Sequence, residues 1–445
     1  MPIQSIPRRL ILLAAVLTVV SPLTHAQGLL TPPGAPAPTM KSLQEIWDKV
    51  GTLQTSVGTL QTSVGTLQTT VGTLQTTVAT LQTQNQTLQQ QVTSQQKDSA
   101  AFGLLLANAN IVLPWNISTV DSTGVVGQYT SLAFTPAGQP AISYYDITNS
   151  DLKYAVYNGS TWTLSTVDSA GFVGQNTSLA FTPAGQPAIS YYDVSNSHLK
   201  YAVYNGSTWS LSTVDSSGSV GQNTSLAFTP AGQPAISYFD IASSYLKYAV
   251  FNGSTWTLST VDNTASVGQY TSLAFTPAGQ PAISYYDTTN LNLKYAVYNG
   301  SAWTLSIVDS AGDVGQSAAL AFTPAGQPAI SYYDLTSGDL KYALFNGSTW
   351  TSSSVDSVGT VGQYTSLAFT AAGQPAISYY DATNSDLKYA VYNGSTWTLG
   401  TVDSTGSVGS FTSLAFTPAG QPAISYFDGS NGHLKFALRK PFVSP

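Results

Sequence analysis

Seven tryptophans, Trp115, Trp162, Trp209, Trp256, Trp303, Trp350 and Trp397, stand 47 residues apart, and the sequence between them is copied almost unchanged. A fixed period of this length marks a fold built from stacked copies of one supersecondary unit, each burying its apolar face only against its neighbours. Every unit reads W-T-L-S-T-V-D, a Gly-rich loop, T-S-L-A-F-T-P-A-G-Q-P-A-I-S-Y-Y-D, a short polar turn, then L-K-Y-A-V-Y-N-G-S-T. Four runs per unit alternate with period two, are rich in Tyr, Val, Ile and Thr, and are separated by Pro-Ala-Gly and Asn-Gly turns suited to hairpins. Four antiparallel strands in each such unit predict the blades of an all-β, seven-bladed β-propeller.

Crowding near a central axis orders the strands. The small side chains of S-L-A-F fit innermost, followed outward by A-I-S-Y-Y and L-K-Y-A-V-Y, while the most polar run, T-L-S-T-V, tolerates the exposed edge. With this phasing the chain starts on an orphan outer strand, Asn116 to Asp121, and ends on a third strand, Leu434 to Leu438. Pairing the two completes the last blade and removes the open sheet end.

The motif P-A-G-Q-P-A-I-S-Y-Y-D followed by D-L-K-Y-A resembles the repeat of secreted bacterial seven-bladed propellers of the sialidase-like (BNR/Asp-box) type, and also bacterial propeller lectins that bind sugars between blades. The resemblance covers residues 115–438. It implies the fold more directly than an activity. An Asp-box needs Ser or Thr, Asp two residues on, Gly two further and then an aromatic. Here Thr135-Pro136-Ala137-Gly138 and its copies lack the Asp. Sialidases also hold the substrate carboxylate with an arginine cluster, whereas the arginines of this chain are Arg8, Arg9 and Arg439.

Ahead of the repeats the chain divides into a signal peptide (1–26), a Pro-rich linker (27–42), a stalk (43–97) and a connector (98–114). The propeller takes 115–439 and a short tail 440–445. Arg8 and Arg9 precede an apolar run from Leu10 to Val20, and small residues around Thr24-His25-Ala26 suit cleavage. The arginine pair is compatible with twin-arginine export and with an ordinary basic n-region. The apolar run is too short to span a bilayer, so a secreted, periplasmic or cell-surface location without membrane insertion is expected.

In the stalk Leu43, Val50, Val57, Val64, Val71, Val78 and Val92 share one heptad position, and Leu53, Leu60, Leu67, Leu74, Leu81 and Leu88 follow three residues later. This a/d seam predicts an α-helical parallel coiled coil that makes a homodimer or homotrimer. Gly51, Gly58, Gly65 and Gly72 each cost about 1 kcal/mol of helix stability, so association would have to supply the balance. Asn85, at an a position, would help fix register. A flexible low-complexity spacer is the alternative.

Only 8% of residues are charged, yet 26 Tyr and 8 Trp within 42% hydrophobic content can build a large core. The net charge of −7 disfavours nucleic acid and anionic membrane surfaces. There is no Cys, so neither disulfides nor thiolate metal sites are available. No cofactor is expected. A Ca²⁺ loop would need carboxylates at alternating positions, which Asp146-Ile147-Thr148-Asn149-Ser150-Asp151 lacks. His198 and His433 occupy equivalent turns and suggest no catalytic pair. A ring of copies presents one group repeatedly, whereas catalysis needs different groups converging on one pocket.

Comparing the copies places the variation in two loops on one face, at the residue after Y-Y-D turns and at the residue before T-S-L-A-F. Ligand sites are therefore expected between adjacent blades on that face. They comprise Gln128, Tyr129, Tyr145 and Asp146, then Gln175, Tyr192 and Asp193, then Gln222 and Asp240, continuing with Gln269, Tyr270, Tyr286 and Asp287. Asp334, then Gln363, Tyr364, Tyr380 and Asp381, and finally Asp428 complete the set. Structural duties compete for these positions: the Trp ring as a strand anchor, the Asp ring as turn caps paired with Lys153 and its copies. A groove lined by Tyr, Gln, Asn and Asp suits neutral sugar hydroxyls, so a non-catalytic, multivalent glycan-binding protein is the leading expectation. A structural or protein-binding module of the cell envelope, and a degenerate glycoside hydrolase or lyase, are the alternatives.

Overall fold

The structure, a computed structural model, describes residues 43–108 and 114–440. The expected signal peptide and Pro-rich linker lie outside the described residues. Two compact units are distinguished, and each is considered by itself.

The N-terminal unit, which ends at Thr87, holds most of one helix, Leu43–Asn108, and that helix runs past the expected end of the stalk at 97. Its Val and Leu seam faces outward along the single chain, with Leu53, Leu60 and Leu67 each 64% exposed. A Cβ added at Gly51, Gly58, Gly65 or Gly72 would meet nothing, so no close approach requires glycine there. Thr hydroxyls along the helix bond back to the carbonyl four residues earlier, as Thr62 Oγ1 does to Gly58 O at 3.0 Å, a local contact that adds nothing to helix stability. Among the described residues no helix is long and apolar enough to cross a membrane.

The C-terminal unit is a seven-bladed β-propeller of four-stranded antiparallel sheets. In blade 1 the strands run outward as Val126–Phe134, Pro140–Asp146, Asp151–Tyr157 and Trp162–Asp168. The following blades repeat this pattern. Blade 7 joins Val408–Phe416, Pro422–Asp428 and His433–Arg439 to the first strand of the chain, Trp115–Asp121, whose Trp115 pairs with Arg439 and Ile117 with Ala437. The inside-to-outside order and the closure therefore follow the sequence expectation.

Burial follows position in the blade. The second strand is buried on both faces because it lies between neighbouring sheets, and Tyr144, Ile142 and Ala141 are fully enclosed. The outer strand exposes its first half and buries only Val-Asp at its end. Each apolar cluster spans a blade boundary: Leu152 and Tyr154 of blade 1 pack with Leu179, Ile189 and Tyr191 of blade 2. Trp209 closes this cluster edge-on against Tyr154 (centroids 5.3 Å apart) while tilting over Tyr204 of its own blade (5.3 Å). The Trp ring is thus an inter-blade anchor, the geometry aromatic pairs prefer.

The second residue of the inner strand is a glycine that the neighbouring blade demands. At Gly174 φ is +101°, and a Cβ would sit 2.7 Å from the backbone Cα of Leu152 in blade 1. Only glycine allows both the left-handed conformation and this approach.

Candidate functional site

In blade 1 the inner strand slips register across the equivalent glycine, Gly127, between Val126 and Gln128, and again between Gln128 and Ser131. The bulge holds Tyr129 at φ 53°, and Asn176, Asn223, Tyr270, Ser317, Tyr364 and Phe411 adopt the same left-handed backbone in the other blades. A left-handed residue other than glycine costs roughly 1–2 kcal/mol. Such strain persists where the surroundings enforce it, and it concentrates at functional positions. Here it turns one side chain per blade onto the wall of the central channel.

These residues, with the Thr or Ala that follows each, line one axial pocket of about 200 Å³. No charged side chain is among the lining residues. The ring is not uniform. Phe411 contacts Tyr364 on one side (centroids 4.6 Å) and Tyr129 on the other (4.7 Å), giving a continuous aromatic arc over blades 6, 7 and 1. On blades 2 and 3 the wall is amide: Asn176 Oδ1 accepts from the backbone N–H of Asn223 at 2.8 Å, and Asn223 Oδ1 accepts from the N–H of Tyr270 at 3.1 Å. Burial raises the Tyr129, Tyr270 and Tyr364 hydroxyl pKa values, so these phenols stay neutral donors at physiological pH.

The expected site residues divide under this geometry. Tyr129, Tyr270 and Tyr364 reach the pocket. Tyr145, Tyr286 and Tyr380 sit behind them at ring distances of 6.3–6.4 Å, and Tyr192 is buried at the equivalent position. Gln128, Gln175, Gln222, Gln269 and Gln363 lie half-buried in the bulge beside them. The Asp ring is not brought to the channel. Asp146, Asp193, Asp240, Asp287, Asp334, Asp381 and Asp428 are each at most 5% exposed. Asp146 caps its turn, accepting from the Asn149 N–H at 3.1 Å and the Asn149 side-chain amide at 2.9 Å, and the copies act alike. The sequence placed these acids on sugar hydroxyls in grooves between blades. The structure instead commits them to the turns, and gathers the variable position of each blade at the axis, because the left-handed bulge aims it inward.

Sequence reasoning also missed the last residue of each outer strand. Asp168 Oδ2 accepts from Tyr191 Oη (2.7 Å) and Lys200 Nζ (2.6 Å), both of the next blade. The lysine's second acid, Asp193, is 3.9 Å away. The nearer partner is the outer-strand acid in five copies, and the turn acid only for Lys247 and Lys435. The buried V-D ending was the available signal. Among the described residues, no group of His, Cys, Asp or Glu could hold a metal ion. His198 and His433 open third strands opposite Asp193 and Asp428.

No protein-family model and no curated protein sequence matches this chain. Solved structures do. YCF48 bound to a D1 peptide is similar at 15% identity and TM-score 0.50, covering 75% of this chain and 99% of that one. An ulvan lyase of a new polysaccharide lyase family aligns at 13% identity and TM-score 0.49, covering 72% and 94%. A sialidase from Streptococcus pneumoniae aligns at 12% identity and TM-score 0.40, covering 74% and 71%. The likeness to YCF48, at this identity, shows the propeller fold and nothing finer.

Proposed function

We propose that this chain is an exported, non-catalytic recognition protein that binds the terminal unit of a neutral glycan in its axial pocket. The observation carrying this reading is the uneven wall: a continuous aromatic arc at Tyr364, Phe411 and Tyr129 faces Asn176, Asn223, Tyr270 and Ser317, with no charge among them. A pyranose ring offers the same division, an apolar face that stacks on aromatics and an edge of hydroxyls that pair with amides. The pocket volume of about 200 Å³ is below the ~300–1,000 Å³ of sites for drug-sized ligands. It suits one terminal sugar better than an extended segment. A neutral wall gives no counter-charge for a carboxylate or phosphate.

Oligomerisation through the helix Leu43–Asn108 would present two or more such pockets together. Tethered sites of modest affinity gain avidity of about 10²–10⁴-fold when both engage. The Val and Leu seam, exposed on one copy, supports that role.

Screening the exported chain on a neutral-glycan array, then titrating the strongest binder by calorimetry, tests the reading. One site per chain, weakened by Phe411→Ala, is expected. Several equivalent sites per chain, or binding indifferent to Phe411→Ala, would place the ligand elsewhere. A polysaccharide cleaved by the purified chain would make it an enzyme.

A further inference from the structure

Blade 5 departs from the other six where the channel wall meets the blade boundary. In those six, the Thr that follows the bulge residue bonds a Ser in the second strand of the preceding blade. Thr177 Oγ1 donates to Ser143 Oγ at 2.6 Å, and Thr271 to Ser237 at 2.7 Å. Blade 5 reads Gln316-Ser317-Ala318-Ala319 where blade 1 reads Gln128-Tyr129-Thr130-Ser131. Ala318 cannot make the bond. Ser284, the blade 4 partner, keeps a fully buried hydroxyl with no hydrogen-bond partner. A second bond is lost on the other side of the blade: Leu179 N–H donates to Ser131 Oγ at 3.0 Å between blades 1 and 2, but Ala319 offers Leu367 no acceptor.

A buried hydroxyl left unpaired is costly and calls for a partner. Its direction is set by the other copies, where the same Ser points to the Thr that lines the pocket. Ser317 and Ala318 both line the pocket here, and both are smaller than the Tyr-Thr pair of blade 1. The wall is therefore recessed at the boundary of blades 4 and 5, across the channel from the arc centred on Phe411.

We infer that this recess is a polar subsite, in which Ser284 Oγ bonds a hydroxyl of the terminal sugar while the ring stacks on the aromatic arc. This inference rests on the glycan reading above. It explains how a pseudo-sevenfold pocket selects one orientation of its ligand: stacking surface and hydrogen-bonding recess occupy different blades, so the sugar has one productive pose. The ligand class it names is a neutral, terminal hexopyranose with a hydroxyl able to reach past the channel wall.

The test compares the full exported chain with Ala318→Thr, Ala319→Ser and Ser284→Ala, using maltotetraose, cellotetraose, chitotetraose and mannotetraose as probes. Ala318→Thr restores the missing Thr–Ser bond and fills the recess. It should raise the melting temperature and weaken binding of the best probe about tenfold or more, equivalent to losing one good hydrogen bond together with its space. Ala319→Ser restores the other bond outside the pocket, so it should raise the melting temperature with affinity unchanged. Ser284→Ala should weaken binding several-fold without lowering the melting temperature. Ala318→Thr that is more stable yet binds like the parent would show that water fills the recess, overturning the inference while leaving the glycan reading intact. Failure of the parent chain to bind any of the four probes would overturn both.

Discussion

Asp121 Oδ2 lies 2.8 Å from Lys153 Nζ, so the final residue of the chain's first strand, which completes blade 7, is paired across a boundary with blade 1. Tyr144 Oη donates to the same oxygen at 2.7 Å. The ring is thereby closed twice, by the strand ladder within blade 7 and by this buried contact to its neighbour.

Deleting Trp115–Asp121 should lower propeller stability by more than about 4 kcal/mol, since it strips the outer strand from blade 7 and leaves Lys153 and Tyr144 without their shared acceptor. Asp121→Ala alone should cost about 3–5 kcal/mol, the effect of breaking a buried pair from one side. Denaturant melts of both variants check this. An unchanged midpoint in the deletion would mean that the ring does not close through this strand.

Acid should attack these boundaries. Burial pushes the Asp121 carboxyl up, but hydrogen bonds from Lys153, Thr123 and Tyr144 outweigh it and bring the pKa from 3.8 down to about 2. Asp168, Asp215, Asp262, Asp309 and Asp356 are lowered in the same way. A carboxylate with a lower pKa folded than unfolded stabilises fully above the unfolded value and loses that contribution as pH falls through the folded one. The melting temperature should therefore hold from pH 7 to about 5 and fall steeply between about 4 and 2. A flat profile down to pH 2 would contradict the proposed staples.

Gly174→Ala should destabilise by about 1–3 kcal/mol from overpacking against Leu152, beyond the cost of its positive φ. Gly159 supplies the control, with φ of +102° against +101° at Gly174 but open space around a Cβ. The difference between the two alanine variants in thermal melts isolates the close approach. Equal losses would assign the whole effect to backbone conformation.

The propeller, its strand order and its closure were legible because period-two alternation, turn residues and crowding at the axis act along the chain. The axial site was only half legible. Tyr129 was recognised as variable, but its inward aim depends on a bulge with φ 53°, which neighbouring blades impose and local sequence does not announce. Of the two duties read for the turn acids, the structure shows the cap, with the lysine as a second and in five copies more distant partner, and their burial depends on how blades stack, which local sequence does not state. The Asp121 staple needed the same knowledge, since Asp121 and Lys153 meet only across a boundary between sheets.

The stalk gives the last prediction. A helix carrying glycine at Gly51, Gly58, Gly65 and Gly72 and an exposed apolar seam is a marginal structure for a single chain, and we propose that pairing accompanies its formation. Val at a with Leu at d favours two parallel strands, and Asn85 in the same seam favours one register. The chain has no cysteine, which leaves a clean background for cross-linking. In a parallel, in-register dimer, Leu67→Cys places two thiols in one layer, within the roughly 4.4–6.8 Å Cα separation that a disulfide accepts. Oxidation should then yield a covalent dimer quantitatively. Mixing Leu53→Cys and Leu67→Cys chains should give no cross-linked heterodimer, because those layers stand about 21 Å apart along the helix. A trimer would leave one thiol in three unreacted, and a chain that light scattering shows as a monomer would reduce the stalk to a spacer and remove the avidity expected from paired pockets.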